Sequence, residues 1–512
     1  MDRVSGSSPL RRALPHLLGP RPEPLLALSA AHGRRALSAG VCVAAPLALF
    51  VLLDRPDLGA AAALGGFTAS YGHAAPYRRR AAVSAGVGAV LTAAVALGGL
   101  TGPHPLLLAL VLALLAAGAT AAAAVWHVGP PGPLMAVLAG GSASALGDTP
   151  SLLAGHAAAA AGGAALSWLV VMSPWLWDPA GPERRAVAAA EAAVSAGPRA
   201  GRPDPAARAV RLAHVAVTGG SRRRPSLRPR LDDVEVRFLR ALPSVDDSPA
   251  AATGTPVPPP RSPAPLWLPT AARIGLGVGA AGALAAALGL ASPYWASTAA
   301  VAVLMGTDAR HARARALHRV TGTMVGAALT AVLFGLHLPV GITIVVIGAL
   351  LVGVELLVAS QYVLAVSLIT PLALLLVRLG APGTPGGELV ALRLGETAVG
   401  IAVGLVAGLL LFPHTGSRRL PAAVATTVQR AVAAAEASPG GPADRALRDA
   451  LVAQHEVATA ARAELFAVTG ADAQLRRSRQ VADLGWALLG ARAREEDAHS
   501  AWVAARINHD LG

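Results

Sequence analysis

The chain is 512 residues long, 54% hydrophobic and only 14% charged, with a mean hydropathy of +0.54. A soluble protein of this size carries roughly 25% charged residues, so the composition excludes an ordinary soluble enzyme and points to a chain that crosses a membrane many times. The net charge of +14 does not mark a nucleic-acid binder: lysine is absent, and the arginines stand between apolar stretches, where they orient helices.

Residues 1–35 read as a Pro/Arg-rich cytoplasmic leader. They hold no long apolar core before a cleavage site, so no signal peptide is expected and the first apolar segment stays as an anchor. Residues 36–175 then read as a membrane repeat with spans at 36–53, 57–75, 81–100, 104–125, 131–147 and 152–173; about twenty apolar residues cross the hydrocarbon. Residues 176–242 read as a cytoplasmic helical region, and 243–265, with Pro258-Pro259-Pro260, as a flexible linker. A second membrane repeat is expected over 266–413, with spans at 270–290, 293–306, 318–336, 338–358, 361–378 and 389–411. Residues 414–512 read as a C-terminal cytoplasmic helical domain. The fold class is therefore all-α, with about twelve membrane helices arranged as two parallel six-helix repeats.

Charge asymmetry sets the orientation. If the spans alternate, Arg78-Arg79-Arg80, Arg184-Arg185, the arginines from Arg310 to Arg319 and Arg418-Arg419 fall on one side, and Asp54, Asp57, Asp148 and Glu388 on the other. Arginine-rich loops stay inside, which places both termini and the central segment in the cytoplasm of a plasma-membrane protein. Trp126, Trp168, Trp175, Trp177, Trp267 and Trp295 lie near span ends, as interfacial anchors do.

The halves repeat. Pro56 opens a span where Pro293 does; Arg80 with Gly86 and Gly88 parallels Arg319 with Gly322 and Gly326; Gly155-His156 parallels Gly395-Glu396. An even number of spans per half makes the repeat parallel, with its pseudo-two-fold axis along the membrane normal, and transport paths commonly lie at such an interface. The soluble parts echo the duplication: each carries Ala-Val-Thr-Gly, at Ala216–Gly219 and Ala467–Gly470. Leu447, Leu451, Val452 and His455 share one helix face by spacing.

No enzyme signature stands. His455-Glu456 lacks a second histidine at Thr459, and neither a Walker A loop nor a Gly-x-Ser-x-Gly elbow occurs. The single Cys42 lies in an apolar segment and offers neither a disulfide nor a metal site. Glycines spaced four apart, as at Gly400, Gly404 and Gly408, fit close helix packing in lipid. No cofactor and no metal are expected.

Ionisable residues inside spans carry more information, because a charge in the hydrocarbon needs a partner or water. Glu355 sits near the inner end of the tenth span, where it either snorkels or takes up a proton. Glu396 lies two turns into the twelfth span, and His156 holds the equivalent place in the sixth. Either Arg393 and Glu396 form an i, i+3 pair near the outer interface, or Glu396 and His156 face each other across the pseudo-axis and line the path. Histidine titrates near neutral pH, which suits coupling. Arg310, Arg313, Arg315 and Arg319 either set topology or gather carboxylates at the inner mouth. Thr321, Gly322 and Thr323, read as the start of a helix, offer N–H groups and hydroxyls to an anion. Tyr294 and Trp295 either anchor the outer interface or stack on an aromatic substrate.

One run is distinctive: Tyr294-Trp295 opening a span, an arginine-rich turn that starts at Gly306-Thr307-Asp308, then Arg319-Val320-Thr321-Gly322-Thr323. It resembles the signature of the fusaric acid resistance (FUSC-like) membrane proteins, which include aromatic acid exporters. The resemblance implies efflux of small organic acids, aromatic ones included, driven by the proton gradient. Arg319, Thr321, Thr323, Tyr294, Trp295, Arg310, Arg315, Glu355, Glu396 and His156 are then the candidate path residues. Membrane lipids and a small organic anion are the expected partners, nucleic acid is not, and a homo-oligomer is left open. The rival readings are an anion channel of related architecture and a membrane scaffold that binds a cytoplasmic partner. The sequence departs from the pattern in its 4% aromatic content and in lacking a Tyr-Trp pair at Pro56.

Overall fold

The computed structural model describes residues 25–146, 150–197, 203–219, 227–242, 267–305, 309–358, 360–380, 386–411, 415–462, 464, 470–496, 500–501 and 503. The linker 243–265 and most of the leader lie outside them. Among the described residues the structure is helical, without strands. The chain divides into two compact units: a membrane unit of Met1–His73, Arg80–Pro174 and Leu266–Leu411, and a second unit of Ala74–Arg79, Trp175–Pro265 and Phe412–Gly512.

The first half of the membrane unit runs α1 (Leu25–Leu52), α2 (Pro56–Gly66), a 3-10 turn (Phe67–Ser70), α3 (Tyr77–Gly99), α4 (Pro105–Val125), α5 (Leu134–Ala143) and α6 (Pro150–Met172). Between the halves stand α7 (Gly181–Ser195), α8 (Asp204–Thr218) and α9 (Arg228–Arg240). The second half runs α10 (Leu268–Ala287), α11 (Tyr294–Leu304), α12 (Ala309–Gly335), α13 (Val340–Leu357), α14 (Tyr362–Gly380) and α15 (Gly386–Leu410). Then follow α16 (Thr415–Glu436), α17 (Pro442–Arg462) and α18 (Ala471–Ala493). Proline presets the first turn of α2 and α4, where its missing N–H costs nothing.

Nine of the described helices are long and apolar enough to cross a membrane, and this is a multi-pass membrane protein. The spans expected at 57–75, 131–147 and 293–306 are different. They hold helices of 11, 10 and 11 residues, about 15–17 Å at 1.5 Å per residue, against about 30 Å of hydrocarbon. Hydropathy misreads them because they are apolar for another reason: every residue of α11 is buried, and most of α2 and α5 are. Long helices wrap short ones.

The halves exchange partners. α1 packs on α13 and α10 on α4; α2 touches α14 and α11 touches α5; within each half the short second helix packs on the last, α2 on α6 and α11 on α15. This reciprocity is what a parallel repeat with a two-fold-like axis requires. Glycines allow the closest contacts: a Cβ at Gly163 would collide with the Ala62 carbonyl, and one at Gly400 with the Ala296 carbonyl. These backbone approaches are the membrane packing that small residues permit.

The second unit has its own core, from Val187, Val210, Phe238, Leu420, Leu451 and Trp486 among others. Phe238 meets Trp486 edge to face at 6.1 Å. Leu447, Leu451 and Val452 are buried there, as the helix spacing predicts, whereas His455 lies at the edge, 3.3 Å from Asp204.

Candidate functional site

Two features stand out in the membrane unit. The first is a polar cluster inside the second repeat. α11 is too short to cross the hydrocarbon, so at least one of its ends must be met within the protein. Glu396 on α15 does this, its Oε1 accepting from the Ser292 amide at 2.7 Å. Trp295 is buried, with the Tyr294 ring at 4.6 Å on one side and the Arg393 Cζ 3.9 Å from its ring centroid. Tyr294 lies against Gly141 on α5 and hydrogen-bonds Ser142. Arg319 comes in from α12 and interacts electrostatically with Arg393.

The first repeat answers with a different chemistry. His156 on α6 is buried, and its Nε2 lies 3.3 Å from Oδ2 of Asp57, in the first turn of α2. Asp57 also accepts from Arg55 at 3.0 and 3.2 Å. His156 and Glu396 thus each dock on the start of the short helix of their own repeat. The contacts do not bring them together, and the reading in which they face each other across the axis gives way to this one.

Three other expectations are corrected. Tyr294 and Trp295 are not interfacial anchors, since both are buried. Arg393 and Glu396 do not pair near the outer surface: both are buried, and each has another partner. Thr321-Gly322-Thr323 is not a helix start. α12 runs unbroken from Ala309 to Gly335, so these amides are spent inside the helix, and the arginines sit on its first turns rather than in a loop. Thr321 is exposed and bonds back to the Leu317 carbonyl at 3.0 Å; Thr323 is buried. Gly322 and Gly326 seat α12 against Val363, Val366 and Thr370 of α14. Arg315 lies 5.2 Å from the Tyr362 ring centroid. The side chains of Arg310 and Arg313, and residues Gly306–Asp308, lie outside the described residues.

The second feature is a small cavity of ≈ 60 Å³ between the repeats, its walls drawn from α2 and α5 on one side and α13 and α14 on the other. Leu64, Phe67, Leu138, Leu351 and Leu372 make it apolar, and Glu355 is the ionisable residue on its lining. Glu355 does not snorkel. It is buried, and its Oε2 lies 2.9 Å from Nε of Arg35 on α1. The two form an ion pair without the alignment of a hydrogen bond. Arg35 also donates to the Ser70 carbonyl at 3.2 Å, and Ser70 lines the same cavity. Ser142, the partner of Tyr294, lines it too.

Sequence reading missed Arg35, which falls at the end of the expected leader, and the link through Ser142. A carboxylate as deep as Glu355 signals a partner, but nothing in sequence says that it comes from the other half. Among the described residues no group of side chains has the make-up to hold a metal ion.

Residues 280–407, from the end of α10 nearly to the end of α15, match a family model described as fusaric acid resistance protein-like. An uncharacterized membrane protein of Bacillus subtilis (strain 168), YvaC, is 34% identical over 161 residues, which cover 31% of this chain and 25% of that protein. The chain therefore matches about a quarter of the length of this curated relative. No solved structure matches.

Proposed function

We propose that this multi-pass membrane protein, fusaric acid resistance protein-like over residues 280–407, exports small organic acids, aromatic ones included, across the plasma membrane. The observation that carries the reading is the cavity at the interface of the repeats with the Arg35–Glu355 pair on its wall. Its apolar side chains suit a ring or short chain, with one charged group to orient it. Arg35 supplies the positive charge that a carboxylate needs at one end. Positive-inside places that end, with Arg34 and Arg35, in the cytoplasm together with both termini.

Arg35 is already engaged by Glu355, so the substrate carboxylate competes with it. Tyr71 interacts electrostatically with Glu355 and His73 with Arg35. An inside-negative potential drives a monovalent anion outward by about 2.3 kcal/mol per 100 mV.

The test is efflux of labelled benzoate from proteoliposomes under imposed potential and pH gradients. Arg35→Gln should lower the rate by about tenfold or more, as expected when one partner of a charged recognition pair is lost, and Glu355→Gln should change it, because Arg35 then has no competitor for the substrate carboxylate. Wild-type rates in both variants would overturn the assignment. Large unitary currents across a planar bilayer would favour the channel reading instead.

A further inference from the structure

The polar cluster of the second repeat does not line the cavity, and the export scheme leaves it without a task. Its charges do not balance. Arg393 is 1% exposed and Arg319 2%, and Glu396 is 0% exposed. Glu396 interacts electrostatically with Arg393, but among the described residues no carboxylate hydrogen-bonds the buried Nε of either guanidinium. Arg393 Nε and Nη1 and Arg319 Nε are buried donors without a hydrogen-bond partner, and the Thr323 and Thr397 hydroxyls are buried and unpartnered beside them in sequence. Among the described residues of this cluster, two guanidiniums stand against one carboxylate.

A buried guanidinium is costly in a low-dielectric interior. The Trp295 face offsets part of the cost by cation–π attraction, yet a ring cannot accept the in-plane N–H bonds of the guanidinium it stacks against. Those donors point to an acceptor. Glu396 does not supply it: its Oε1 accepts from the Ser292 amide, and its Oε2, buried and unpartnered, makes no hydrogen bond to either guanidinium.

We propose that the α11–α12–α15 core holds one compact monovalent anion beside Arg393 and Arg319, chloride or the head of a small carboxylate in size and charge. The anion answers the two guanidiniums and fixes α15 on α11. It is a resident of the fold, distinct from the acid that the cavity carries, and its binding needs no transport.

The experiment uses the purified full chain in detergent, equilibrated in gluconate. Chloride, formate, sulfate and benzoate each replace gluconate at constant ionic strength, and the thermal unfolding midpoint is read. The expected result is a saturable rise with chloride and formate that Arg393→Gln abolishes, while Arg319→Gln weakens the apparent affinity by about tenfold or more, as loss of one charged partner does. Chloride-35 NMR line broadening by the folded wild type, lost in Arg393→Gln, supports the same conclusion where the variant is less stable. No shift and no broadening with any anion overturns the proposal. A shift with benzoate alone also overturns it, because the site then belongs to the transported acid.

Discussion

Arg35 on α1 and Glu355 on α13 meet at 2.9 Å across the boundary between the two membrane repeats. The pair is lopsided: the Arg35 side chain is 31% exposed and that of Glu355 only 6%. Losing the arginine strands a buried carboxylate, whereas losing the carboxylate leaves an arginine that keeps water and the Ser70 carbonyl. Arg35→Gln should therefore cost about 3 kcal/mol, the penalty of breaking a buried pair, and Glu355→Gln less than about 1 kcal/mol, in the range of a solvent-screened one. Denaturant titration of both variants in detergent measures the difference. Equal costs would contradict the asymmetry.

Helix contact at Gly400 is equally specific. An added methyl there runs into the Ala296 carbonyl and lies 2.8 Å from the Ala299 Cβ. Gly400→Ala should push α15 off α11 and cost about 1–3 kcal/mol, as overpacking does. Gly395→Ala, where a Cβ meets nothing within 4 Å, is the control and should cost nothing measurable. Unfolding midpoints of the two variants settle the point.

The second unit carries a pH-sensitive contact. Burial alone would raise the Glu235 carboxyl, but hydrogen bonds and charge from His214 and Arg448 outweigh it and hold the group below its ordinary value. A depressed carboxylate contributes stability that is fully present above the unfolded pKa, about 4.3, and is lost as pH falls through the folded value. Amide exchange in α9 and α17 of the full chain should accelerate between pH 5 and pH 3, roughly the window that linkage gives. Glu235→Gln should remove that acid-dependent part.

Much of this was legible in the sequence. Pro56 and Pro293 do open equivalent short helices, and both are buried at the heart of their repeats because apolar, alanine-rich turns follow them. What hydropathy cannot tell is whether an apolar stretch faces lipid or other helices, and this is why α2, α5 and α11 read as spans. The arginine-rich turn failed for a second reason. From Ala309 to Val320 no glycine or proline interrupts good helix formers, so the chain simply stays helical and the Thr321–Thr323 amides have no anion to meet. The Trp295–Arg393 stack joins residues on α11 and α15, far apart in sequence, and the Arg35–Glu355 pair joins opposite halves. Neither carries a local signal.

The path itself is tested most directly by filling it. Ala373 lines the cavity on α14, and a tryptophan there would fill the space between the repeats while leaving Arg35 and Glu355 unmutated. In proteoliposomes, Ala373→Trp that elutes and unfolds like the wild type should export benzoate at least about tenfold more slowly, the scale on which a blocked pocket discriminates. Wild-type efflux through the filled cavity would contradict a route between the repeats.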